Sequence, residues 1–276
     1  MNENGEVIRN KSRLGSKGYA KKEHIEFEET FSSVAKLEAI RMFLALSSFW
    51  KFKVKQMDVK SAFHNAKLEE KVYIEQPEGF ILGNDAELVC NLKKALYGLK
   101  QAPRAWYYHL DKYLQQQWFI KGSVDNKLHT KIGNDKLLII VVYVDDIIFG
   151  SNEESMSQNF TLVMQQEFEM SLLGDLNYFL GLQVQQTKDG IFLSQTKYLK
   201  NIPKQYEMED SKLVCTPMVT RYSLTSNNGS PTVNQSAYRS MIGNLLYLIG
   251  TRLDIMHAVG IVGRLKENLK ELHFRL

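Results

Sequence analysis

Tyr143-Val144-Asp145-Asp146 sets two adjacent carboxylates between two apolar stretches, Leu137 to Val144 before them and Ile147-Ile148-Phe149 after. Ionised carboxylates held away from water need partners, and two together repel unless a cation lies between them. A strand–turn–strand hairpin would put both Asp at the turn, on the edge of a sheet, within reach of a divalent metal. An ordinary Asp-containing turn has the same local residue types, so the upstream residues decide. Asp58 closes an alternating segment, and if that strand neighbours the hairpin, three carboxylates converge on one edge. Mg²⁺ takes hard oxygen ligands, usually a few carboxylates with substrate phosphates. Two such ions about 3.5–4 Å apart activate an attacking oxygen and stabilise a leaving one. This chemistry needs no Ser, Cys or His nucleophile, and none of the six His stands in a ligand-pair spacing.

The elements that must position these groups follow from periodicity. Apolar residues over 30–49 (Ala35, Leu37, Ile40, Phe43, Leu44, Leu46) share a helical face, with Ser32 or Ser33 as a cap. Phe52 to Met57 alternates, placing Phe52, Val54 and Gln56 on one side and Lys51, Lys53, Lys55 and Met57 on the other. Residues 59–68 read as a turn and short helix, and 71–75 as a strand stopped by Pro77 and Gly79. Trp106 to Phe119 reads as a helix with Pro103 near its start. The acidic hairpin covers 136–149, and Glu153 to Phe168 is a surface helix. Tyr178 to Val184 and Ile191 to Leu193 flank Lys188-Asp189-Gly190 as a hairpin. Residues 223–235 are loop-like, and a helical part runs from Ser236 to about Leu265. Val7 to Leu14 reads as a short strand or hairpin arm. Strands and helices without strict alternation predict an α+β fold with an antiparallel sheet.

The 276 residues, 44% hydrophobic and 24% charged, suffice for one large domain or two small ones with a real core. No apolar run approaches the ~20 residues of a membrane span, and Met1-Asn2-Glu3-Asn4-Gly5 has no signal-like apolar region. Cys90 and Cys215 lack metal or disulfide spacing and read as free, packed thiols in a reducing compartment. The net charge of +4 is unevenly spread. Residues 1–22 carry Arg9, Lys11, Arg13, Lys17, Lys21 and Lys22 against Glu3 and Glu6. Residues 91–110 carry Lys93, Lys94, Lys100 and Arg104 with no acid, interleaved with Tyr97, Trp106, Tyr107 and Tyr108. Such mixtures suit a polyanion with stackable bases, or equally a solvated helix face over packed aromatics.

The ordered motifs are more specific. Gln56-Met57-Asp58-Val59-Lys60-Ser61-Ala62-Phe63, the run from Leu92 through Tyr97-Gly98-Leu99-Lys100-Gln101-Ala102-Pro103-Arg104 to Trp106, and Tyr143-Val144-Asp145-Asp146 resemble the three catalytic motifs of copia-type retrotransposon reverse transcriptases. Val72 to Phe80, Tyr178 to Leu182, Thr216-Pro217-Met218 and Tyr238 to Leu248 are similar to the same family, in the same order. The resemblance covers nearly the whole chain. It implies a right-hand polymerase fold of fingers, palm and thumb, with an antiparallel palm sheet. Fingers and palm would occupy 1–195, and a thumb or connection-like segment 196–276.

It further implies Asp58, Asp145 and Asp146 as catalytic metal ligands for two Mg²⁺, with Mn²⁺ as a substitute. Phe63 falls where the family places an aromatic steric gate against a 2′-hydroxyl; a core Phe is the plainer alternative. Gln101 matches a glutamine beside the incoming nucleotide. Lys11, Arg13 and Lys17 resemble the basic segment that grips the triphosphate. Lys100, Arg104, Tyr143 and Val144 are expected against nucleic acid, Val144 with an influence on fidelity. The Tyr178–Val184 hairpin resembles the element that positions the primer end, with plain hairpin core as the alternative. The implied partners are an RNA or DNA template with its primer, deoxynucleoside triphosphates, and the integrase and ribonuclease H of a longer Pol polyprotein, with no membrane. The family suggests cytoplasmic virus-like particles with later nuclear delivery, although no targeting signal is visible.

Some positions depart from the family pattern. The chain starts just after a fingers strand that relatives carry, which predicts N-terminally truncated fingers, and nothing after Arg264 resembles ribonuclease H. Leu14-Gly15-Ser16 replaces an apolar Leu-Val-Ala, His64 and Ala66 stand for Leu and Gly, His129 for an apolar aromatic, and Leu253 and Leu269 for prolines. Three functions stay open on sequence alone: an RNA-directed DNA polymerase, a catalytically silent nucleic-acid-binding remnant, and a metal-dependent nuclease. Phe63 and the Gln101 segment speak against the nuclease, which has no incoming nucleotide to read.

Overall fold

The protein is described by a computed structural model covering residues 14–18, 35–77, 79–81, 88–133, 135–218 and 235–264. Lys11, Arg13 and the expected strand over 7–14 lie outside the described residues apart from Leu14, as do the start of the first helix and the loop over 223–234.

The fold is α+β, and its chain forms two compact units, Met1–Leu176 and Asn177–Leu276. The first unit is built on a six-stranded antiparallel sheet. In chain order its strands are β1 (Lys53–Val59), β4 (Ile120–Lys121), β5 (Leu128–Gly133), β6 (Lys136–Tyr143), β7 (Asp146–Ser151) and β8 (Met170–Asp175), arranged β4-β5-β6-β7-β1-β8. Both faces are covered. Helices α3 (Ala102–Gln116) and α4 (Glu154–Glu167) join one face in a core that includes Met57, Trp106, Leu110, Val142, Ile147, Phe149 and Phe160. On the other, α1 (Leu37–Phe49) brings Phe43 over Gly150, next to Phe52. That double burial explains why β6 and β7 are apolar at nearly every position rather than alternating.

A short helix α2 (Ala62–Asn65) follows β1, and β2 (Lys67–Glu75) pairs with β3 (Val89–Lys94) in a separate two-stranded sheet. Helix α3 starts at Ala102, earlier than its Trp106 onset predicts, because Pro103 lies in its first turn, where a missing N–H costs nothing.

The alternation of β1 holds, but both of its faces carry buried residues. Alternation assigns Met57 to the outward side, yet Met57 is fully buried. The register against β8 shifts between Gln56 and Met57. The extra residue of that bulge, Leu173, is on β8, and β1 pairs with β7 without interruption, so its alternation is intact. Met57 is buried because its face is the one that joins the α3 and α4 core. Asp58 lies within the strand, not at its end, with Val59 buried after it.

The second unit contains β9 (Tyr178–Phe179), β10 (Leu182–Thr187) and β11 (Gly190–Ser194), followed by helices α5 (Thr196–Gln205), α6 (Gln235–Leu248) and α7 (Met256–Gly263). The predicted continuous strand over 178–184 is broken. Leu180 and Gly181 adopt φ of 49° and 81°, turning the chain back so that Phe179 pairs with Leu182. The predicted single helix from Ser236 is likewise split, with a 3₁₀ turn at Leu253–Ile255 between α6 and α7. Gln195, buried after β11, donates to the Tyr247 carbonyl at 3.2 Å and accepts from Thr251 at 2.7 Å, tying the end of α6 to the hairpin. The hairpin β10–β11 thus belongs with the second unit, whereas the expected functional boundary falls after it at 195. Cys90 is half-buried as a free thiol, while Cys215 is exposed, not packed. No described helix is long and apolar enough to cross a membrane.

Candidate active site

Asp58 and Asp146 stand directly opposite each other on β1 and β7, and Tyr143 pairs with Asp146 across the β6–β7 hairpin. Val144 and Asp145 are therefore the two turn residues. The three carboxylates meet because β1 inserts beside β7, a pairing of strands almost ninety residues apart that no local pattern contains. All three residues are half-buried.

The backbone of this turn is held from two sides. The Val59 amide of β1 donates to the Asp145 carbonyl at 2.8 Å. The Trp106 indole N–H of α3 donates to the Val144 carbonyl at 2.7 Å. Val144 has φ 56°, a left-handed conformation rare for a β-branched residue and costing on the order of 1–3 kcal/mol. The surrounding bonds offset that cost.

Electrostatics match the crowding. Burial raises the Asp146 carboxyl above its usual range; the Asp145 and Asp58 charges add to the rise, and a hydrogen bond from Gln56 opposes it. The Gln56 amide donates to Asp146 Oδ1 at 2.9 Å. Gln56 lies two residues before Asp58, on the same strand face diagonal to Asp146. Among the described residues no trio of acid, His or Cys side chains closes into a coordination shell. What the backbone provides is the juxtaposition.

Phe63 follows on α2, set up by Ser61 in a left-handed conformation (φ 51°). It is half-buried, with its ring 4.7 Å from that of Tyr97, and it packs on the main core. Tyr97 also ties in the basic segment, because Ser16 N–H donates to the Tyr97 carbonyl at 2.7 Å and Gly15 bridges to Tyr97. Gly98 makes this approach feasible: it has φ 88°, and a Cβ there would fall 2.0 Å from the Ser16 carbonyl. Exposed Lys17 follows directly on this backbone contact with Tyr97.

Gln101 is buried at the start of α3. With exposed Arg104 and Tyr108 and buried Tyr107 it lines a pocket of about 360 Å³ against Lys67–Glu70 of β2. Trp106 faces the sheet and Gln101 this pocket, so the first turns of α3 look to different sides. Lys100, next to Gln101, is half-buried.

Below the pocket, His129 occupies a fully buried position on β5. It bonds through Nε2 to Asp111 Oδ1 at 2.8 Å, and Asp111 Oδ2 accepts from Lys121 and Gln115. Burial holds the His129 imidazole below its usual value, against the Asp111 bond. Burial acts to raise the Asp111 carboxyl, but its three hydrogen-bond donors outweigh that and lower it. A polar residue at an apolar position is thereby compensated by a dedicated partner on α3.

Three contributors were not singled out by their motifs. Gln56 could have been found from its two-residue spacing to Asp58. Trp106 could have been suspected because a buried indole N–H needs an acceptor. The Tyr97 contact has no sequence signal at all.

Comparison with known proteins agrees with the geometry. A family model described as reverse transcriptase (RNA-dependent DNA polymerase) matches residues 1–220. The chain is 35% identical over 97% of its length to the retrovirus-related Pol polyprotein from transposon TNT 1-94 of Nicotiana tabacum. It is 36% identical over 94% of its length to that from transposon RE2 of Arabidopsis thaliana, and 35% over 99% to that from transposon RE1 of the same plant. It spans 21%, 18% and 19% of those three proteins, about a fifth of each. With the paired acidic strands, the ordered motifs and a family model matched over most of its length, this chain belongs to the reverse transcriptase family, RNA-directed DNA polymerases by resemblance.

Proposed function

We propose that the chain is the polymerase domain of a copia-type retrotransposon Pol polyprotein, transferring deoxynucleotides to a primer 3′-hydroxyl on an RNA or DNA template. The observation that carries this reading is Asp58 directly across from Asp146, with Asp145 beside it on a turn bonded to both neighbouring elements.

The donor set fits divalent metal. Like charges directly opposite on a strand pair repel; burial is the main cause of the raised Asp146 carboxyl, and the Asp145 and Asp58 charges add to it. Asp58, Asp145 and Asp146 would hold two Mg²⁺, or Mn²⁺ in its place. When bound, such ions supply neutralisation of developing charge and activation of the attacking oxygen. The chain's own residues do the rest. Gln56 orients Asp146. Phe63, backed by Tyr97, presents an aromatic ring where a deoxyribose has room and a 2′-hydroxyl clashes. Lys17, with Lys11 and Arg13, neutralises the triphosphate. Gln101, Lys100 and Arg104 face nucleotide and template, and Tyr143 and Val144 pack against the primer terminus or template.

In this reading the six-stranded sheet is the palm. The β2–β3 ribbon and the 15–18 segment belong to the fingers, so that fingers and palm span 1–195, and 196–276 forms the thumb or connection. Integrase and ribonuclease H would come from a longer polyprotein, and the assembly would act in cytoplasmic particles before nuclear delivery.

The test is primer extension with purified chain, Mg²⁺ and four deoxynucleotides, beside Asp145→Asn. Extension should vanish in the variant while primer–template binding stays within about twofold, because binding rests on basic and stacking groups. Equal extension by wild type and variant would exclude the assignment.

A further inference from the structure

The acidic turn is an unfavourable piece of backbone: a β-branched residue in left-handed conformation between two strands, carrying carboxylates that repel a third. Its shape is over-determined by neighbours and not by its own residues. One neighbour is the Val59 amide, a backbone group that any sequence supplies. The other is a side chain. Trp106 is completely buried, 38 residues before the turn in sequence, and its only polar atom is aimed at the Val144 carbonyl. A second ring fixes the indole's orientation: Phe168, at the end of α4, meets Trp106 edge-on at 5.3 Å. Helix α3 therefore reaches the carboxylates through one hydrogen bond, from the sheet face opposite the one α1 covers.

We propose that Trp106 is a positioning residue of the site: its indole N–H, bonded to the Val144 carbonyl, holds the left-handed turn that sets Asp145 and Asp146 against Asp58. The inference rests on reading those carboxylates as the metal-holding set. Trp106 touches no substrate and acts only through the turn. A purely structural role predicts that any equally buried residue of α3 is equivalent. Leu110, one turn further along α3 and also fully buried, supplies that comparison without a bond to the turn.

The experiment compares full-length wild type, Trp106→Phe and Leu110→Ala. Three quantities are measured: Mn²⁺ affinity by electron paramagnetic resonance, kcat and KM for primer–template in extension, and thermal melting. Trp106→Phe keeps an aromatic ring and loses the donor. It should weaken Mn²⁺ binding about tenfold and lower kcat about 10–100-fold, since small displacements of reacting groups are costly, with KM within twofold of wild type. Leu110→Ala should melt at lower temperature yet keep its Mn²⁺ affinity within twofold. Trp106→Phe matching wild type in Mn²⁺ affinity and kcat, or Leu110→Ala reproducing the losses, would overturn the proposal.

Should Trp106→Phe not fold, the wild type decides. On Mg²⁺ titration the Trp106 indole ¹⁵N–¹H resonance should shift more than those of Trp50 and Trp118, and an unmoved Trp106 signal overturns the proposal. Wild type that binds Mn²⁺ but extends no primer removes the polymerase reading, while the Mn²⁺ comparison still tests Trp106. Wild type that binds no Mn²⁺ overturns both.

Discussion

Asp146 works against the fold that carries it. Its carboxyl is raised by burial first and by the neighbouring Asp145 and Asp58 charges after that, against the Gln56 bond. A carboxyl whose folded pKa exceeds its unfolded value contributes stability below the unfolded pKa, and loses it as pH rises through the folded one. Ionised Asp146 therefore destabilises the metal-free protein at neutral pH. Asp146→Asn, which can still accept from Gln56, should melt at higher temperature than wild type at pH 7 in chelator. That gain should shrink as pH falls into the ordinary carboxylate range, and extension should be lost throughout. Melting curves from pH 4 to pH 8 check this, and a variant no more stable than wild type at pH 7 contradicts it. The placing of Asp145 and Asp146 at a hairpin turn was legible from sequence, because adjacent acids between two apolar runs belong where the chain turns. Their supports were not: Gln56 and Trp106 act through bonds whose partners are distant in sequence.

At the scale of elements, the outcome of reading periodicity depended on what lay across each strand. The apolar hairpin was legible because helices bury both of its faces. The burial of Met57 was not, since Lys51, Lys53 and Lys55 mark its side of β1 as solvent, while α3 and α4 bury the far end of that same side. The strand over 178–184 was misjudged at Leu180–Gly181, where two successive positive φ values reverse the chain. The contact of the 15–18 segment with Tyr97–Gly98 was equally invisible, yet it decides where Lys17 lies. Gly98→Ala would place a Cβ 2.0 Å from the Ser16 carbonyl, at a φ of 88°. The strain is on the order of 1–3 kcal/mol, relieved by parting the two segments. Steady-state extension should then show a raised KM for deoxynucleotide, with primer–template affinity little changed. An unaltered nucleotide KM would separate Lys17 from triphosphate binding.

For the whole molecule, charge distribution matters more than net charge. A formal +4 is modest, but the acid-free stretch over 91–110 concentrates cations beside Gln101 and the aromatic pocket wall. Phosphate contacts by such groups release counterions, so affinity falls as salt rises. With about three phosphates neutralised, primer–template affinity should drop about 10–100-fold between 50 and 200 mM salt. Asp145→Asn should show the same slope, because the slope counts the cations that neutralise phosphates and a carboxylate is not one of them. Fluorescence anisotropy titrations at several salt concentrations check this, and a flat dependence would remove the electrostatic reading.

The two bonds to the acidic turn end on carbonyl oxygens, those of Val144 and Asp145. They respond to the path of the main chain and are indifferent to which side chain hangs from position 144. In a replicating lineage this uncouples two kinds of change. Residue 144 can drift while both bonds to the turn, and with them the register of the acidic pair, stay in place. Position 106 has no such latitude, because there the side chain is itself the bond. The structure thus separates a position that the bonds ignore from a side chain that makes one of them.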